Sequence, residues 1–251
     1  MKIVSFNIRS RSDANGHSIS ERAPRVKELI DRCDPDIIGF QEVVPEWMEH
    51  IPDDYGGKYE IFHKFRDDKR DIEGSPILWK KDLFDCLDKG YFWYSDTPDV
   101  SSKGWDSIGC FRICMWAKLC LKADGKVFWF YNTHFGFGDQ CQLDSVDLLF
   151  RRMDMAGADT IIMTGDFNMH HHYKAYAAMT ERLADLNMMT AKNLNHTVHG
   201  YDLNCENKTP IDYCFITPET VTPVSYRRMD ETFEGKFPSD HYGLEIVAEL
   251  K

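Results

Sequence analysis

The sequence predicts an α/β fold in which two packed β-sheets are flanked by helices. Three observations carry that prediction. Apolar runs of strand length are interspersed with segments of helical periodicity. A long strand pair joined at Ala123-Asp124-Gly125 marks a central hairpin. Apolar segments also recur up to the last residues, so the carboxyl end is expected to be structural. With 251 residues and 43% hydrophobic composition the chain can bury a substantial core. No Pro-rich, Ser-rich or like-charge block divides it and no solenoid-type repeat is visible, so residues 1–251 are expected to form a single domain.

In chain order, Ile3 to Ile8 reads as a strand. Ala23 to Cys33 places Val26, Leu29, Ile30 and Cys33 on one helical face, with Pro24 read as a first-turn residue. Asp36 to Val43 is a buried strand, Pro45 to Ile51 a short helix, and Tyr59 to His63 and Pro76 to Lys80 are strands. Tyr91-Phe92-Trp93-Tyr94 suits a strand with one alternate pair facing inward, Phe92 and Tyr94 or Tyr91 and Trp93. Arg112 to Lys122 and Lys126 to His134 form the hairpin, and Gln142 to Met155 spaces Leu143, Val146, Leu149, Phe150 and Met153 as a helix does. Thr160 to Met163 is a strand covered on both faces, Tyr173 to Leu186 a helix, and Ile211 to Thr217, Val221 to Arg228 and Tyr242 to Leu250 the closing strands.

The formal charge of −11 opposes nonspecific attraction to a polyphosphate backbone, so nucleic acid is a possible partner that net charge does not favour. Lys64, Arg66, Lys69, Arg70, Lys80 and Lys81 form a local basic region, read as a solvated face. Eight cysteines without a Cys-x-x-Cys pair read as buried thiols rather than as a disulfide framework or a zinc site. No run is long enough to span a bilayer and the first residues are already strand-like, so the expectation is a soluble, cytoplasmic protein.

Polar residues gather at strand ends. Gly165 is expected to turn the backbone where the Thr160 strand stops, presenting Asp166 and Asn168 together to a crevice. An acid beside an amide suits a metal ion and the oxygens it holds. Glu42 likewise ends an apolar strand and is a candidate metal ligand. Asn7, Asn132-Thr133-His134, Asp212 and Ser239-Asp240-His241 repeat the pattern. Each alone is as well explained by backbone capping as by catalysis; together they strain that explanation.

Ser5-Phe6-Asn7-Ile8, Gln41-Glu42-Val43, Asn132-Thr133-His134, Gly165-Asp166-Phe167-Asn168, Ile211-Asp212-Tyr213 and Ser239-Asp240-His241 resemble, in order, the motifs of the endonuclease/exonuclease/phosphatase superfamily. Glu73-Gly74-Ser75-Pro76-Ile77, Ser102-Lys103-Gly104-Trp105-Asp106 and Arg112-Ile113-Cys114-Met115-Trp116-Ala117 are most similar to its bacterial-type branch. The resemblance implies a four-layer α/β sandwich with two central mixed β-sheets and a metal-dependent phosphoesterase that hydrolyses a phosphodiester or phosphomonoester by activated water. It implies Mg²⁺ or Mn²⁺ at Glu42, assisted by Asn7 and Asp240. Asp212 and His241 become an acid–imidazole pair, Asp166 orients or deprotonates water, Asn168 donates its amide to phosphate, and His134 binds phosphate or protonates the leaving group. Glu73 is expected to pair with His134, Arg112 to neutralise a phosphate, and Trp105, in the loop 101–109, to line the pocket. Phe135-Gly136-Phe137-Gly138 departs from the branch, which carries Asp and His there. Met169-His170-His171-His172 departs too and is read as a polar loop rather than a second metal site. The substrate is a phosphorylated molecule, with nucleic acid, lipid and sugar phosphate all open. A binding protein that keeps the fold without catalysis is the alternative of another class.

Overall fold

Neighbouring apolar residues on a central strand have two destinations, which is why the strands read as continuous hydrophobic runs. Ile37 packs between the two sheets, whereas Ile38 packs under the helices on the outside. The same division separates Ile162 from Met163 and Phe130 from Tyr131. The computed structural model describes residues 1–106, 108–202, 204, 205 and 209–251, so Ser107 of the predicted 101–109 loop lies outside the described residues.

One sheet contains β1 (Lys2–Asn7), β2 (Ile37–Gln41), β3 (Tyr59–Phe62), β4 (Ile77–Lys80), β11 (Val221–Met229) and β12 (Gly243–Leu250), in the order β11-β12-β1-β2-β4-β3. The other contains β5 (Phe84–Trp93), β6 (Ile113–Leu121), β7 (Val127–His134), β8 (Ile161–Asp166), β9 (Ala184–Asp185) and β10 (Asp212–Ile216), in the order β5-β6-β7-β8-β10-β9. Each sheet has one central parallel pair, β1 with β2 and β7 with β8, flanked by antiparallel neighbours. The crossovers are α1 (Ile19–Cys33) and α4 (Asp139–Ala156), which cover the outer faces and make the molecule a four-layer α/β sandwich. Because both parallel pairs end at the same edge, the carboxyl ends of β1, β2, β7 and β8 converge there.

Several boundaries differ from the sequence reading for local reasons. α1 begins at Ile19, four residues before the predicted start, because Ser18 and Glu21 form a reciprocal capping box. Pro24 therefore lies inside the helix rather than in its first turn. The predicted Pro45 helix is two short ones, α2 (Pro45–Met48) and α3 (Ile51–Tyr55), each with Pro in its first turn. The predicted 173–186 helix stops early: α5 (Lys174–Thr180) gives way to β9, which pairs with Phe215 and Ile216, and Asp185 then caps α6 (Leu186–Met189). Along Tyr91–Tyr94 the expected alternation of faces holds, but both faces are covered: Phe92, Trp93 and Tyr94 are all buried and only Tyr91 is exposed. Trp93 faces the inter-sheet core while Phe92 and Tyr94 face the outer one.

Candidate active site

Register builds the site. His134 is the β7 partner of Asp166 on β8, and Asp212 is its β10 partner, so three ionisable side chains stand in one row across three adjacent strands. Asn7 ends β1 opposite Gln41, and Glu42 follows directly in a left-handed conformation (φ 61°). Arg9 and Asn168, just beyond the ends of β1 and β8, are left-handed as well, at φ 64° and 49°. Such backbone is unfavourable for non-glycine residues and is found here at three converging strand ends.

Gly165 has a different role from the one expected of it. It lies within β8, where a Cβ would come 2.5 Å from the Thr133 carbonyl oxygen, so its lack of a side chain lets β7 and β8 approach. The turn itself is made at Asn168, whose backbone N–H donates to Asp166 Oδ1 at 3.0 Å.

Asn7 joins the two sheets at the floor of the cleft. Its Nδ2 donates to Asp166 Oδ2 at 2.9 Å and to Glu42 Oε1 at 3.1 Å, and its Oδ1 accepts from the Arg9 backbone. Asn7 thus offers the site an N–H, not the carbonyl oxygen that a metal would take. The other oxygen of Glu42 accepts from both the backbone N–H and the hydroxyl of Ser10 at 2.7 Å. Asp240, beside the floor, is bound by Arg9 Nη1 at 3.3 Å, while Arg9 Nε reaches Asp13 at 3.1 Å. His241 Nδ1 lies 3.0 Å from Asp212 Oδ2, and its Nε2 faces Asp166 Oδ2 at 3.9 Å. His134 Nε2 approaches the same oxygen from the other side at 3.6 Å.

The electrostatics follow from burial and from this row of charges. Burial, then the neighbouring Asp212, pushes the Asp166 carboxyl up to about 7, against the pull of His241 and its two hydrogen-bond donors. Burial disfavours the His241 imidazolium, yet Asp212, Asp166 and Asp240 outweigh it and hold the ring protonated well above its ordinary range. His134 moves the opposite way: burial and the Arg112 charge keep it neutral. Burial also opposes ionisation of Glu42, but the Ser10 bonds and the His241 charge outweigh it and lower its pKa. Glu42 has no Lys or Arg partner among the described ion pairs.

The floor therefore carries Glu42, Asp166, Asp212 and Asp240 against Arg9 and His241. That acidic excess, offered as hard oxygen donors, fits a divalent cation held by a few carboxylates and water. Among the described residues, Asp166, Asp212 and His241 form the buried cluster whose ligand atoms lie within 4.8 Å of one another. Its His241 Nδ1 is already bonded to Asp212, so it reads equally as a proton-transfer chain.

The remaining predicted residues divide. Asn168 lines the cleft, with Nδ2 donating to the Phe135 carbonyl at 2.9 Å and one N–H left over. Arg112 also lines it, but pairs with Asp106 at 3.3 Å and lies beneath the Phe137 ring. Glu73 is paired with Arg66 at 2.9 Å rather than with His134, whose Nδ1 has no hydrogen-bond partner among the described residues. Trp105 is outside the cleft: its indole donates to Asp96 at 3.0 Å and its ring packs on the outer core. Phe137, 44% exposed, forms the aromatic lip in its place. His170 of the histidine run bonds Thr209 at 2.7 Å, outside that three-residue cluster.

Ser10 and Arg66 were invisible in the sequence: one follows a strand without any motif, and the other sits in a charge run read as a solvated face. Asn132 and Gln41 appeared only as letters in motifs. In the structure Asn132 is fully buried and ties the sheets together behind the floor, accepting from Gln41 and Thr164 and donating to the carbonyls of Phe40, Ser75 and Pro76. Gly39 makes room for it, since a Cβ there would sit 2.6 Å from Asn132 Oδ1.

Residues 4–241 match the model of the endonuclease/exonuclease/phosphatase family. The chain belongs to this family. A mannosyl-6-phosphatase of Bacteroides thetaiotaomicron shares 29% identity and superposes with a TM-score of 0.90, covering 99% of each chain. A family member from Bacteroides vulgatus shares 30% identity with a TM-score of 0.91, over 100% of this chain and 98% of that one. An uncharacterised protein of Acanthamoeba polyphaga mimivirus is 31% identical over 188 residues, 67% of either chain. Across the endonuclease/exonuclease/phosphatase family divalent metals are generally used, in accord with the acidic floor.

Proposed function

We propose that the protein is a phosphoester hydrolase that requires Mg²⁺ or Mn²⁺ and removes phosphate from a small phosphorylated molecule, a sugar phosphate being the favoured class. The observation that carries this reading is the row His134–Asp166–Asp212–His241, set opposite Glu42 and joined to it by the single amide of Asn7. A divalent cation held near Glu42, with Asp240 and water completing its shell, would supply positive charge for the phosphoryl oxygens.

The protein's own groups cover the other tasks. Asp166 is the base in this reading: in the metal-free protein burial and Asp212 push its carboxyl up to about 7, whereas His241 is held cationic by Asp212, and the Asp166 carboxylate stands between the two imidazoles at the floor. His241 instead presents Nε2–H to an anionic phosphoryl oxygen. Neutral His134 and the free N–H of Asn168 donate hydrogen bonds on the other flank.

Two features support a small substrate. The cleft has a volume of about 510 Å³ and a lip formed by Phe137 and Ile108, which limits it on one side. The mannosyl-6-phosphatase, similar over the whole chain, acts on a phosphorylated sugar by its name. A direct test is hydrolysis of p-nitrophenyl phosphate and bis-p-nitrophenyl phosphate with Mg²⁺ or Mn²⁺, for the parent, Asp166→Ala and His241→Ala. Metal-dependent turnover is expected, faster on the monoester and lost in both variants. No turnover in the parent would favour a binding protein instead.

A further inference from the structure

A second cavity of about 510 Å³ opens beside the catalytic cleft, and Arg9 and Asp240 line both. A group attached to the phosphate can therefore leave the cleft in two directions, past the Phe137 lip or past the Arg9–Asp240 pair. The second route leads between two loops. One carries Asp13, Asn15 and His17; the other carries Gly200 and Tyr201.

Both loops are fixed by hydrogen bonds to backbone carbonyls. The Arg22 guanidinium holds the first through the carbonyls of Ile8, Arg9, Arg11 and His17. The second hangs from the Asp240 carbonyl, which accepts from His199 and Gly200 at 2.8 and 3.1 Å. Three non-glycine residues around the cavity, Arg9, Asn15 and Tyr201, have φ between 62° and 65°. Backbone of this kind persists only where its surroundings enforce it, and it gathers at ligand sites.

The lining has a definite chemistry. Arg9 is engaged by a carboxylate on each side, Asp13 and Asp240, so two anions face one cation. Among the side chains that line the cavity, a second phosphate would meet two carboxylates and a guanidinium that both of them already engage. Hydroxyl groups would meet carboxylate oxygens with spare lone pairs and the Asn15 amide. His17, kept neutral by burial and by the charges of Arg25, Lys236 and Arg22, is stacked on Tyr201 at 3.9 Å and adds an uncharged aromatic surface.

We propose that this cavity is a subsite for the uncharged, polyhydroxylated part of the substrate, and that Asp13 and Asn15 select monophosphorylated polyols against substrates with a second phosphate. The inference rests on the phosphatase reading above and names the side of the site at which selection occurs.

The test compares kcat/KM for mannose 6-phosphate, glucose 6-phosphate, fructose 1,6-bisphosphate and p-nitrophenyl phosphate in the parent, Asp13→Asn and Asn15→Gly. Glycine keeps the left-handed backbone while deleting the amide. The parent should favour a hexose monophosphate over the bisphosphate by about tenfold or more, on the order of one or two lost polar contacts. Asn15→Gly should lower the ratio of hexose phosphate to p-nitrophenyl phosphate by about fivefold, and Asp13→Asn should raise the ratio of bisphosphate to monophosphate by a similar factor. Unchanged ratios in active variants, or a parent that prefers the bisphosphate, would overturn the subsite and leave the phosphatase reading standing. A parent inactive on all four substrates would overturn both. Thermal melting of each variant separates a local effect from loss of fold.

Discussion

Among the described residues Arg22 is a buried cation without a carboxylate partner at hydrogen-bond distance, and it organises the loop from which Ser10 grips Glu42. Its guanidinium fills the space between α1 and the strand-end loop, donates to four carbonyls and stacks over Trp47 at 5.1 Å, while Trp47 Nε1 itself donates to the Arg9 carbonyl. Replacing it with methionine keeps most of the volume and removes every donor. Hydrogen bonds to a charged group contribute about 1.5–3 kcal/mol each, but water can reach some of these carbonyls and the guanidinium's desolvation is relieved, so a net loss of about 3 kcal/mol is reasonable. For a chain of this size that is a fall of roughly 6–12 °C in Tm. Arg22→Lys should recover little, because one ammonium cannot reproduce the fork that spans four acceptors. Thermal denaturation followed by circular dichroism reads the stability, and metal-dependent hydrolysis of p-nitrophenyl phosphate reads the alignment of Glu42. Both should decline in both variants. If Arg22→Met melted within about 2 °C of the parent, the loop would not depend on that guanidinium and the reasoning would fail.

Other outcomes follow from the same geometry. Asp212→Asn should lower kcat by about 10²–10⁴, because it removes the anion that keeps His241 protonated and oriented; a variant within threefold of the parent would contradict the pair's role. Without metal, the contribution of Asp166 to stability should decline as pH rises, against the gain that His134, His63 and His199, kept neutral by burial, give as pH rises to about 6.5. The folded state retains a proton on Asp166 up to about 7 that the unfolded state releases near 4, so the folded form binds more protons in that window and loses ground across it. His241 acts in the same sense at higher pH: its raised pKa stabilises fully below about 6.5, and that contribution disappears as pH rises through the folded-state value. Melting scans of the chelator-treated parent and Asp166→Asn from pH 5 to 8 should show the parent losing stability relative to the variant as pH rises towards 7, and Mg²⁺ should restore more stability at pH 8 than at pH 5; a parent that gains on the variant across that window would refute it. Asn132→Ala should destabilise by about 3–5 kcal/mol, since it strands buried partners on both sheets; a chemical-denaturation series giving under 1 kcal/mol would show that the bridge is dispensable.

The sequence displayed what the strands do to their own residues and concealed what the sheets do to each other. Strand ends were legible because Asp166, Glu42 and Asn7 each interrupt an apolar run, and the four-layer architecture was legible because Ile37-Ile38 and Ile161-Ile162 must be covered on both faces. Helix α1 was half-read: the Ser18-x-x-Glu21 signature was present, but the apolar periodicity begins later and drew attention away from it. Nothing local marks Asn132 as an inter-sheet bridge, since its partners lie up to 92 residues away. Glu73 was assigned to His134 by analogy with the Asp212–His241 pair, yet a nearby guanidinium is a stronger partner for a buried carboxylate than a neutral imidazole is, and Arg66 holds it. Trp105 was placed at the pocket because it sits in a glycine-containing loop, but its ring is drawn to the outer core and its N–H to Asp96.

The arginines around the cleft explain how an acidic protein can face a phosphate without inviting polyanions. Arg9, Arg66 and Arg112 are bound to Asp13 and Asp240, Glu73, and Asp106 respectively, so their forks remain in place to shape the walls while their charges are largely cancelled. Long-range attraction depends on net charge, which is −11 over the chain, and nucleic-acid backbones are held mainly through that term. Short-range recognition depends instead on fixed donors at hydrogen-bond distance, and the cleft retains those in His134, His241 and Asn168. A divalent cation held as proposed would add positive charge at the floor, close to Glu42 and Asp166. For the hydrolase proposed above, such an arrangement would favour one phosphate presented by a small neutral carrier over a chain of phosphates, because Arg9, Arg66 and Arg112 are each paired with carboxylates.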